Sequence, residues 1–500
     1  MSFVQNFPCF SILSAMFAAI LTSAVNGKTA RKISIGLTAL LTVMSAALLV
    51  FLMGTGESYV YVMGHFPAPW GNELRAGELE AGLALLFSIV ALGALLGGAQ
   101  EALDDIDDER ENFYFIMIDL MMAANLALVY TNDMFTAYVF VEINTIAACG
   151  LILGKYKGVT IAAAVRYMIM SLMGSGMLLL GISFFYSMTG QLLMSNMKEA
   201  LAVAFANEQF RIPLVITIGM ICIGLAIKSA LWPFHTWLPA AYGFSTTISA
   251  ALLSSIVSKG YIIFLMKVVI RVIGLDNFVN SQIVHVLLVF GIIGMIMGSV
   301  QAIRQTNLRK MIAYSSVAQI GYIYMGMGMG SLEGMGASIY HIFAHALAKS
   351  LMFIAASGLI KACGSASIRD MVGAGYKNKI AALGYVIASF SMVGIPGFAG
   401  FASKFLFAKA SLADMAIASP VLAALAVSTI LNAMYFMKVM LHLYFPLQKE
   451  QKEAGVTYQT YKNTAIYVAA VVLLSAANIV VGVCYKPMAE IIFHGLEIFG

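Results

Sequence analysis

Residues 226–241 read AIKSALWPFHTWLPAA. They end an apolar segment that starts near Pro213, and Lys228 lies well inside that segment. A lone ammonium in the hydrocarbon layer of a bilayer costs roughly 2.5 kcal/mol or more, so Lys228 must face a partner or water. Pro233 lacks a backbone donor and its ring clashes with the preceding turn, so we expect the helix to bend or open directly after the lysine. Snorkelling of Lys228 to a headgroup is disfavoured, because apolar residues separate it from the helix end.

The rest of the chain is as apolar as this segment. Its 500 residues are 61% hydrophobic and 11% charged, with a mean hydropathy of +0.89. Apolar runs of about 20 residues, each long enough to cross a bilayer, recur along the whole length. The composition therefore predicts an all-α polytopic membrane protein. A β-barrel is excluded, because the runs are continuously apolar and do not alternate.

The apolar runs predict fourteen transmembrane helices, numbered here as spans 1 to 14. In chain order they cover 8–26, 33–53, 78–99, 113–130, 133–154, 165–187, 213–237, 245–273, 282–303, 311–330, 335–360, 380–409, 419–445 and 464–484. Loops after odd-numbered spans hold 17 Lys and Arg residues, including Lys449 and Lys452, whereas the other loops and the C-terminal tail hold six. By the positive-inside rule, we expect both termini to face outside a bacterial or archaeal cell.

No motif for a cofactor or a structural metal occurs in the sequence. The five cysteines are far apart and form no CxxC pair, and the seven histidines form no HExxH motif. A P-loop and a GxGxxG turn between strand and helix are also absent. We therefore expect no cofactor and no metal site in this chain.

A buried charge pair is the first candidate for chemistry. Glu142 lies in span 5, within MFTAYVFVEINTIAACGLIL, and is one of very few acids at membrane depth. A carboxylate there needs a cation or must be protonated, and Lys228 is the natural partner. A pair that can be made and broken would change the affinity of the lysine for a proton. The alternative is a static structural pair.

Span 11 carries a second candidate, in ASIYHIFAHALAKSLMF. His341, His345 and Lys349 are spaced i, i+4 and i+8, so they share one helical face at intervals of about 6 Å. Imidazole both accepts and donates protons, so the row predicts a relay in which waters connect the groups. Metal binding by the two histidines is disfavoured, because no third ligand lies nearby in sequence.

Lys404 repeats the arrangement around Lys228. Span 12 reads IASFSMVGIPGFAGFASKFLFAKA, so a Pro and Gly break again lies close to a buried lysine. The two breaks are five spans apart, as expected if spans 4–8 and 9–13 are inverted copies of one unit. Lys259, in span 8, could connect the halves. The predicted divisions are residues 1–112 for spans 1–3, 113–273 and 282–445 for the two repeats, and 464–500 for span 14 and the tail.

One segment departs from this pattern. Residues 104–111, DDIDDERE, place six acids on the predicted cytoplasmic side. The segment could concentrate cations or dock a basic partner, but a solvated surface loop is the simpler interpretation.

These motifs together resemble those of a known family, the antiporter-like subunits shared by Mrp-type cation/proton antiporters, respiratory complex I and membrane-bound hydrogenases. The resemblance covers roughly residues 80–445 and rests on five motifs: FVEI, IKSALWPFHTWLPAA, LRKMIAYSSVAQIGY, HIFAHALAKSLMF and GIPGFAGFASKF. It implies a fourteen-helix core with inverted five-helix repeats. It also implies a polar axis that runs from Glu142 through Lys228, Lys259 and the histidines of span 11 to Lys404.

Within the family the chain looks most like the D-type component of Mrp-type sodium/proton antiporters, which carries a lysine at the position of Lys404. Some complex I relatives carry a glutamate there. Asn307 departs from the family pattern, because many relatives have an acid before the LRK-type motif, and the acidic segment 104–111 does not match a family feature.

The resemblance implies a proton-translocating subunit of a multisubunit sodium/proton antiporter, with other membrane subunits as partners and no nucleic acid. The first alternative is the same fold in a redox-driven hydrogenase or complex I, whose redox sites would lie on other chains. A stand-alone symporter for an organic solute would need convergent polar groups, whereas here the polar groups are strung in a line.

Overall fold

The computed structural model describes residues 3–66, 71–446 and 461–499, and the chain is almost entirely helical. Lys449 and Lys452, which the sequence places in a cytoplasmic loop, lie outside the described residues. A short antiparallel pair of strands, Tyr59–Val62 and Glu73–Ala76, lies between spans 2 and 3.

Each of the fourteen predicted spans is occupied by a helix or by a series of shorter helices. The eleven uninterrupted ones are Phe7–Ser23, Gly27–Thr55, Glu78–Asp105, Asp108–Tyr130, Met134–Leu153, Gly158–Thr189, Ile283–Ile303, Leu308–Met327, Leu332–Cys363, Met415–Tyr444 and Ala465–Val483. Span 7 consists of Arg211–Ser229, the 3-10 helix Phe234–Trp237 and Leu238–Phe244. Span 12 consists of Lys379–Val393 and Ala399–Ser411.

Span 8 is helical throughout but changes its winding twice. It runs through Thr247–Leu252, the π-helical turn Leu253–Val257, Ser258–Lys267 and the π-helical turn Val268–Ile273. Single π turns inside α-helices are rare and are frequent at functional sites.

In the described part of the chain, eleven helical segments are long and apolar enough to cross a membrane by length and composition. The three others are spans 8, 10 and 12. Span 8 is divided into short segments by its π-helical turns, span 12 is interrupted, and span 10 carries Ser315, Ser316 and Gln319 along its length. Spans 8, 10 and 12 carry polar residues or breaks, as expected of helices that line the predicted polar axis.

The remaining helices connect the spans or follow the last one. They are Met194–Phe205, Leu275–Asn280, Ala374–Lys377 and Tyr485–Phe499, with 3-10 turns at Phe3–Asn6, Met63–His65, Glu208–Phe210 and Ile368–Met371. The chain after span 14 was expected to be a tail, whereas Tyr485–Phe499 is a helix. It packs near the start of span 3, where His494 lies 3.0 Å from the carboxylate of Glu78.

The two breaks that the sequence predicts are present and differ in how the backbone turns. Ala230, with a φ of 63°, ends the first part of span 7 in the left-handed conformation. In span 12 the same turn is made by Gly394, with a φ of 92°, where glycine avoids the strain that a side chain would suffer. The broken spans are numbers 7 and 12, an odd interval, so the two spans run in opposite directions, as an inverted repeat would require.

Span 11 is the centre of the molecule. The whole of its apolar window is buried by neighbouring helices, whereas spans 1, 2, 6, 13 and 14 are buried over only a third to two-fifths of theirs. Polar side chains of span 11 are therefore shielded from lipid.

Candidate functional site: a buried polar axis

The predicted charge pair is formed. Nζ of Lys228 lies 3.3 Å from Oε1 of Glu142, and the lysine side chain is completely buried. The side chain of Glu142 is 26% exposed on the surface of the protein. Lys228 lies in the last turn of the first part of span 7, directly before the break, so the prediction that the helix opens after this lysine is confirmed.

Hydroxyl groups of spans 5 and 6 surround the pair. Lys228 donates hydrogen bonds to Oγ1 of Thr145 at 2.8 Å and to Oγ of Ser171 at 3.2 Å, while Ser175 donates to the Glu142 carboxylate. The ammonium thus keeps partners if it separates from the carboxylate. These hydroxyls were not predicted from the sequence, although Ser171 and Ser175 show the i, i+4 spacing of one helical face.

Lys259 lies in the α-helical segment Ser258–Lys267 of span 8, two residues after the π-helical turn Leu253–Val257. It is fully buried, and its Nζ donates to the backbone oxygen of Ser254 and, at 3.4 Å, to Oγ of Ser258. Among the described residues no acid forms an ion pair with it. The helical turn that precedes it, Leu253–Val257, packs against span 11, which carries His341, His345 and Lys349.

The three groups of span 11 form the row that their spacing predicts. The rings of His341 and His345 are stacked, with centroids 6.0 Å apart and planes 12° apart. Lys349 donates to the backbone oxygen of Ile312 at 3.0 Å and to the hydroxyl of Ser315. Both ring nitrogens of His345 are buried without a hydrogen-bond partner among the described residues, so this ring is the point of the row most in need of water.

Lys404 lies at the far end of the axis, beside the break of span 12. Its Nζ donates to the backbone oxygen of Val393 at 2.7 Å and to Oγ1 of Thr429 at 2.9 Å. Val393 ends the first part of span 12, so the lysine takes a carbonyl that the break releases from helical pairing. The ring of Tyr322 connects Lys404 with span 11, because it lies 5.6 Å from Nζ of Lys404 and is stacked on His341 at 5.2 Å.

The structure therefore gathers the predicted residues into two groups. The first consists of Glu142 and Lys228, and the second of Lys259, His341, His345, Lys349 and Lys404. Within the described residues no hydrogen bond joins Lys228 to Lys259. Tyr261 lies between the groups, with its hydroxyl 3.3 Å from Oγ1 of Thr145. This arrangement can hold and relay protons, because its members are amines, imidazoles, a carboxylate and hydroxyls.

Two further buried charges lie near the end of span 8. Lys267 is fully buried and donates to the backbone oxygens of Leu128 and Thr131. It thereby satisfies carbonyls at the end of span 4 that have no helical partner. Arg271 is buried in an ion pair with Glu80.

One buried acid was missed altogether. Asp119 in span 4 is fully buried beside Ser34 of span 2 and Thr22 of span 1. It lies away from the axis. The presence of an acid in an otherwise apolar span was the only sequence feature that could have revealed this buried site.

The acidic segment 104–111 is not a solvated loop. Span 3 continues to residue 105 and span 4 begins at residue 108, so most of the segment is helical. Asp104 pairs with Lys361 at 2.8 Å and Asp105 with Lys155 at 2.6 Å. Glu111 is buried, whereas the acids at 107–109 are exposed. The prediction of solvation thus holds for Asp104 and the acids at 107–109, whereas Asp105 and Glu111 are covered by the protein.

Asn307, where many relatives carry an acid, has a structural role. Its side chain accepts a hydrogen bond from the backbone nitrogen of Lys310 and caps span 10. No cluster of three or more His, Cys, Asp and Glu residues suited to a metal ion is present in the described ranges.

Comparisons with known proteins agree with this architecture. Residues 131–432 match the profile of the NADH:quinone oxidoreductase/Mrp antiporter transmembrane family. The N-type component of the NADH-quinone oxidoreductase of Desulforudis audaxviator is 33% identical over 411 residues, which cover 80% of each chain. The D-type component of the Na(+)/H(+) antiporter of Alkalihalophilus pseudofirmus is 26% identical, over 86% of this chain and 84% of its own.

The fold also has a solved counterpart. A chain of the Mrp complex from a Dietzia species superposes with a TM-score of 0.86 over 99% of this chain and 97% of its own, at 20% identity. At this identity the likeness concerns the fold.

Proposed function

Since this chain belongs to the NADH:quinone oxidoreductase/Mrp antiporter transmembrane family, we propose that it is the proton-translocating subunit of a multisubunit sodium/proton antiporter. The observation that carries the proposal is the presence of two groups of proton-binding side chains, most of them buried: the Glu142–Lys228 pair, and the set formed by Lys259, the row on span 11 and Lys404. Ionisable groups inside a membrane are energetically costly, so we interpret a set of this size as a functional proton path.

The Glu142–Lys228 pair acts as the switch of the axis. When the ammonium is held by the carboxylate, it is stabilised in its charged form. When the pair opens, Thr145 and Ser171 hold the amine, and the lysine can pass its proton towards Tyr261 and Lys259. The row on span 11 then carries the proton to Lys404, which faces the break in span 12.

Both ends of the axis point to partner subunits. The side chain of Glu142 is 26% exposed at a depth where only hydrocarbon or protein can lie against it. Lys404 is half-buried, between the exposed rings of Phe401 and Phe405. Neighbouring membrane subunits would cover both positions, and the two relatives named above are themselves called subunits. We place the protein in a cell membrane with both termini outside, on the charge distribution of its loops.

A second function, as a proton-pumping subunit of a redox-driven complex, is favoured by one observation. The relative with 33% identity is a subunit of an NADH-quinone oxidoreductase. Purification of the native complex separates the two functions. Copurifying subunits with iron–sulfur clusters support the redox-driven complex, and their absence from an active complex supports the antiporter.

The experiment that tests the leading proposal uses an antiporter-deficient host. The full set of partner genes, expressed with this chain, should restore sodium tolerance and sodium-dependent proton movement in inverted vesicles. This chain alone should restore neither. A complete set that assembles but moves no protons in response to sodium would contradict the proposal.

A further inference from the structure

A second cluster of charge lies away from the axis, where several helix ends meet. Glu101, near the end of span 3, is 13% exposed and lies 3.6 Å from Arg309 of span 10 and 3.9 Å from Lys155, which follows span 5. It also accepts hydrogen bonds from the hydroxyls of Thr247 and Ser357. The predicted axis does not use any of these five residues.

The two hydroxyl donors each lead to a lysine of the axis. Ser357 follows Lys349 by eight residues and lies on the same face of span 11, two turns or about 12 Å away. Thr247 begins a second row on span 8, in which Ser254 and Ser258 follow through the π-helical turn Leu253–Val257, and Nζ of Lys259 donates to both serines. One carboxylate is thus the meeting point of two polar rows.

A small cavity lies against Glu101 and Ser357. Its volume is about 40 Å³, which is room for two or three waters. Its lining includes Ser357, Lys361 and Lys462 together with Glu101. Lys361 is partly exposed and pairs with the exposed Asp104, so the cavity lies close to the surface of the protein.

We infer that Glu101 is the proton-uptake residue of this chain, taking protons from the cytoplasmic surface and passing them to the rows that end at Lys349 and Lys259. The inference rests on the proposed function. The carboxylate receives a proton that water in the cavity relays from the cytoplasmic medium. It then gives this proton to the hydroxyl oxygen of Ser357 or Thr247, which releases its own proton to the next water of its row.

Two cations, Arg309 and Lys155, favour the ionised form of Glu101, so the carboxylate takes up a proton only when one of them withdraws. Nζ of Lys155 lies 2.6 Å from Asp105 but 3.9 Å from Glu101, so Lys155 is shared between the two acids and held mainly by Asp105. The charged and titratable groups that face Glu101 are Arg309, Lys155, Asp105, Lys361, Lys462, Tyr114 and Tyr467. A purely structural carboxylate would hold the same helix ends together without exchanging a proton, and the experiment must separate these two roles.

The test uses the complete complex in inverted vesicles, whose cytoplasmic side faces the medium. We expect Glu101→Gln to lower sodium-dependent proton movement at least tenfold at equal abundance of the complex. Glu109→Gln removes an exposed acid from the neighbouring segment and should stay within about a factor of two of wild type. Full activity in Glu101→Gln would overturn the inference.

A chemical rescue distinguishes proton transfer from structural support. We expect small weak acids, azide or formate, to raise the rate of Glu101→Ala at least threefold, because they can carry protons into the vacated space. They should not raise the transport rate of the wild type or of Glu142→Gln. Loss of activity in Glu101→Ala without any rescue would assign a structural role to Glu101 and overturn the inference.

Two further outcomes remain decisive. If the Glu101 variants do not assemble, the double variant Thr247→Ala, Ser357→Ala keeps the carboxylate and its ion pairs but removes both rows at their start. We expect its rate of sodium-dependent proton movement to fall at least fivefold. Full activity would overturn the inference. Wild-type complex that moves no protons would refute the proposed function itself, whereas an active wild type with unaffected variants refutes only the role of Glu101.

Discussion

Removal of the carboxylate from the Glu142–Lys228 pair is the most direct test of the axis. At 3.3 Å and an effective dielectric constant of about 20, the attraction between the two charges is about 5 kcal/mol. Loss of one partner of a buried pair typically costs about 3–5 kcal/mol, because the other charge stays buried. In Glu142→Gln, Lys228 would keep only hydroxyl partners.

This cost should appear in transport. Since about 1.4 kcal/mol corresponds to a factor of ten, a loss of 3 kcal/mol changes an equilibrium by at least about a hundredfold. We expect Glu142→Gln and Lys228→Ala each to abolish measurable sodium-dependent proton movement. Glu142→Asp should be milder, because it keeps the charge and shortens only the reach.

The assay is the sodium-dependent dequenching of a pH dye in inverted vesicles that contain the assembled complex. Glu208→Gln is the matched control, because Glu208 is an exposed acid outside the axis. Its activity should equal that of wild type. Near-normal transport in Glu142→Gln at equal abundance would refute the pair as a working part of the axis.

Three further predictions concern other parts of the chain. Lys404→Arg should fail about as badly as Lys404→Ala in the same dequenching assay, because arginine keeps its proton; wild-type rates with arginine would make Lys404 a fixed charge. The double variant Asp107→Asn, Asp108→Asn should stay within about a factor of two of wild type, since both acids are exposed, and a tenfold change in apparent sodium affinity would contradict this. Glu80→Gln should cost about 3–5 kcal/mol of stability by leaving Arg271 buried without its partner. This substitution should lower the yield and the melting temperature of the complex but not the transport rate per folded molecule. A normal melting temperature would contradict the prediction.

The spans and breaks could be predicted from the sequence because their causes are local. Hydropathy over about 20 residues defines a span, and Pro233 and Pro396 each disfavour a continuous helix through the ring and the missing backbone donor alone. The row on span 11 follows from helical spacing alone, so His341 and Lys349 share a face in any fold that keeps the helix.

Partners from distant spans could not be predicted in this way. The partners of Lys267 are backbone oxygens of span 4, which no side-chain pattern reveals. Thr145 and Ser171 were missed for a similar reason, since a hydroxyl in an apolar helix commonly bonds its own backbone, and only the packing of spans 5, 6 and 7 turns these two towards Lys228.

The contacts of Glu101 provide an independent test of the predicted number of spans. Five helix ends meet there: the end of span 3, the segment after span 5, the start of span 8, the start of span 10 and the end of span 11. Charge in the loops had placed all five on one side of the membrane. A span missed or added between any two of them would put those two on opposite faces, about 30 Å apart, where one carboxylate could not reach both. The contacts of a single side chain therefore support the count between spans 3 and 11 independently of the positive charges from which it was first inferred.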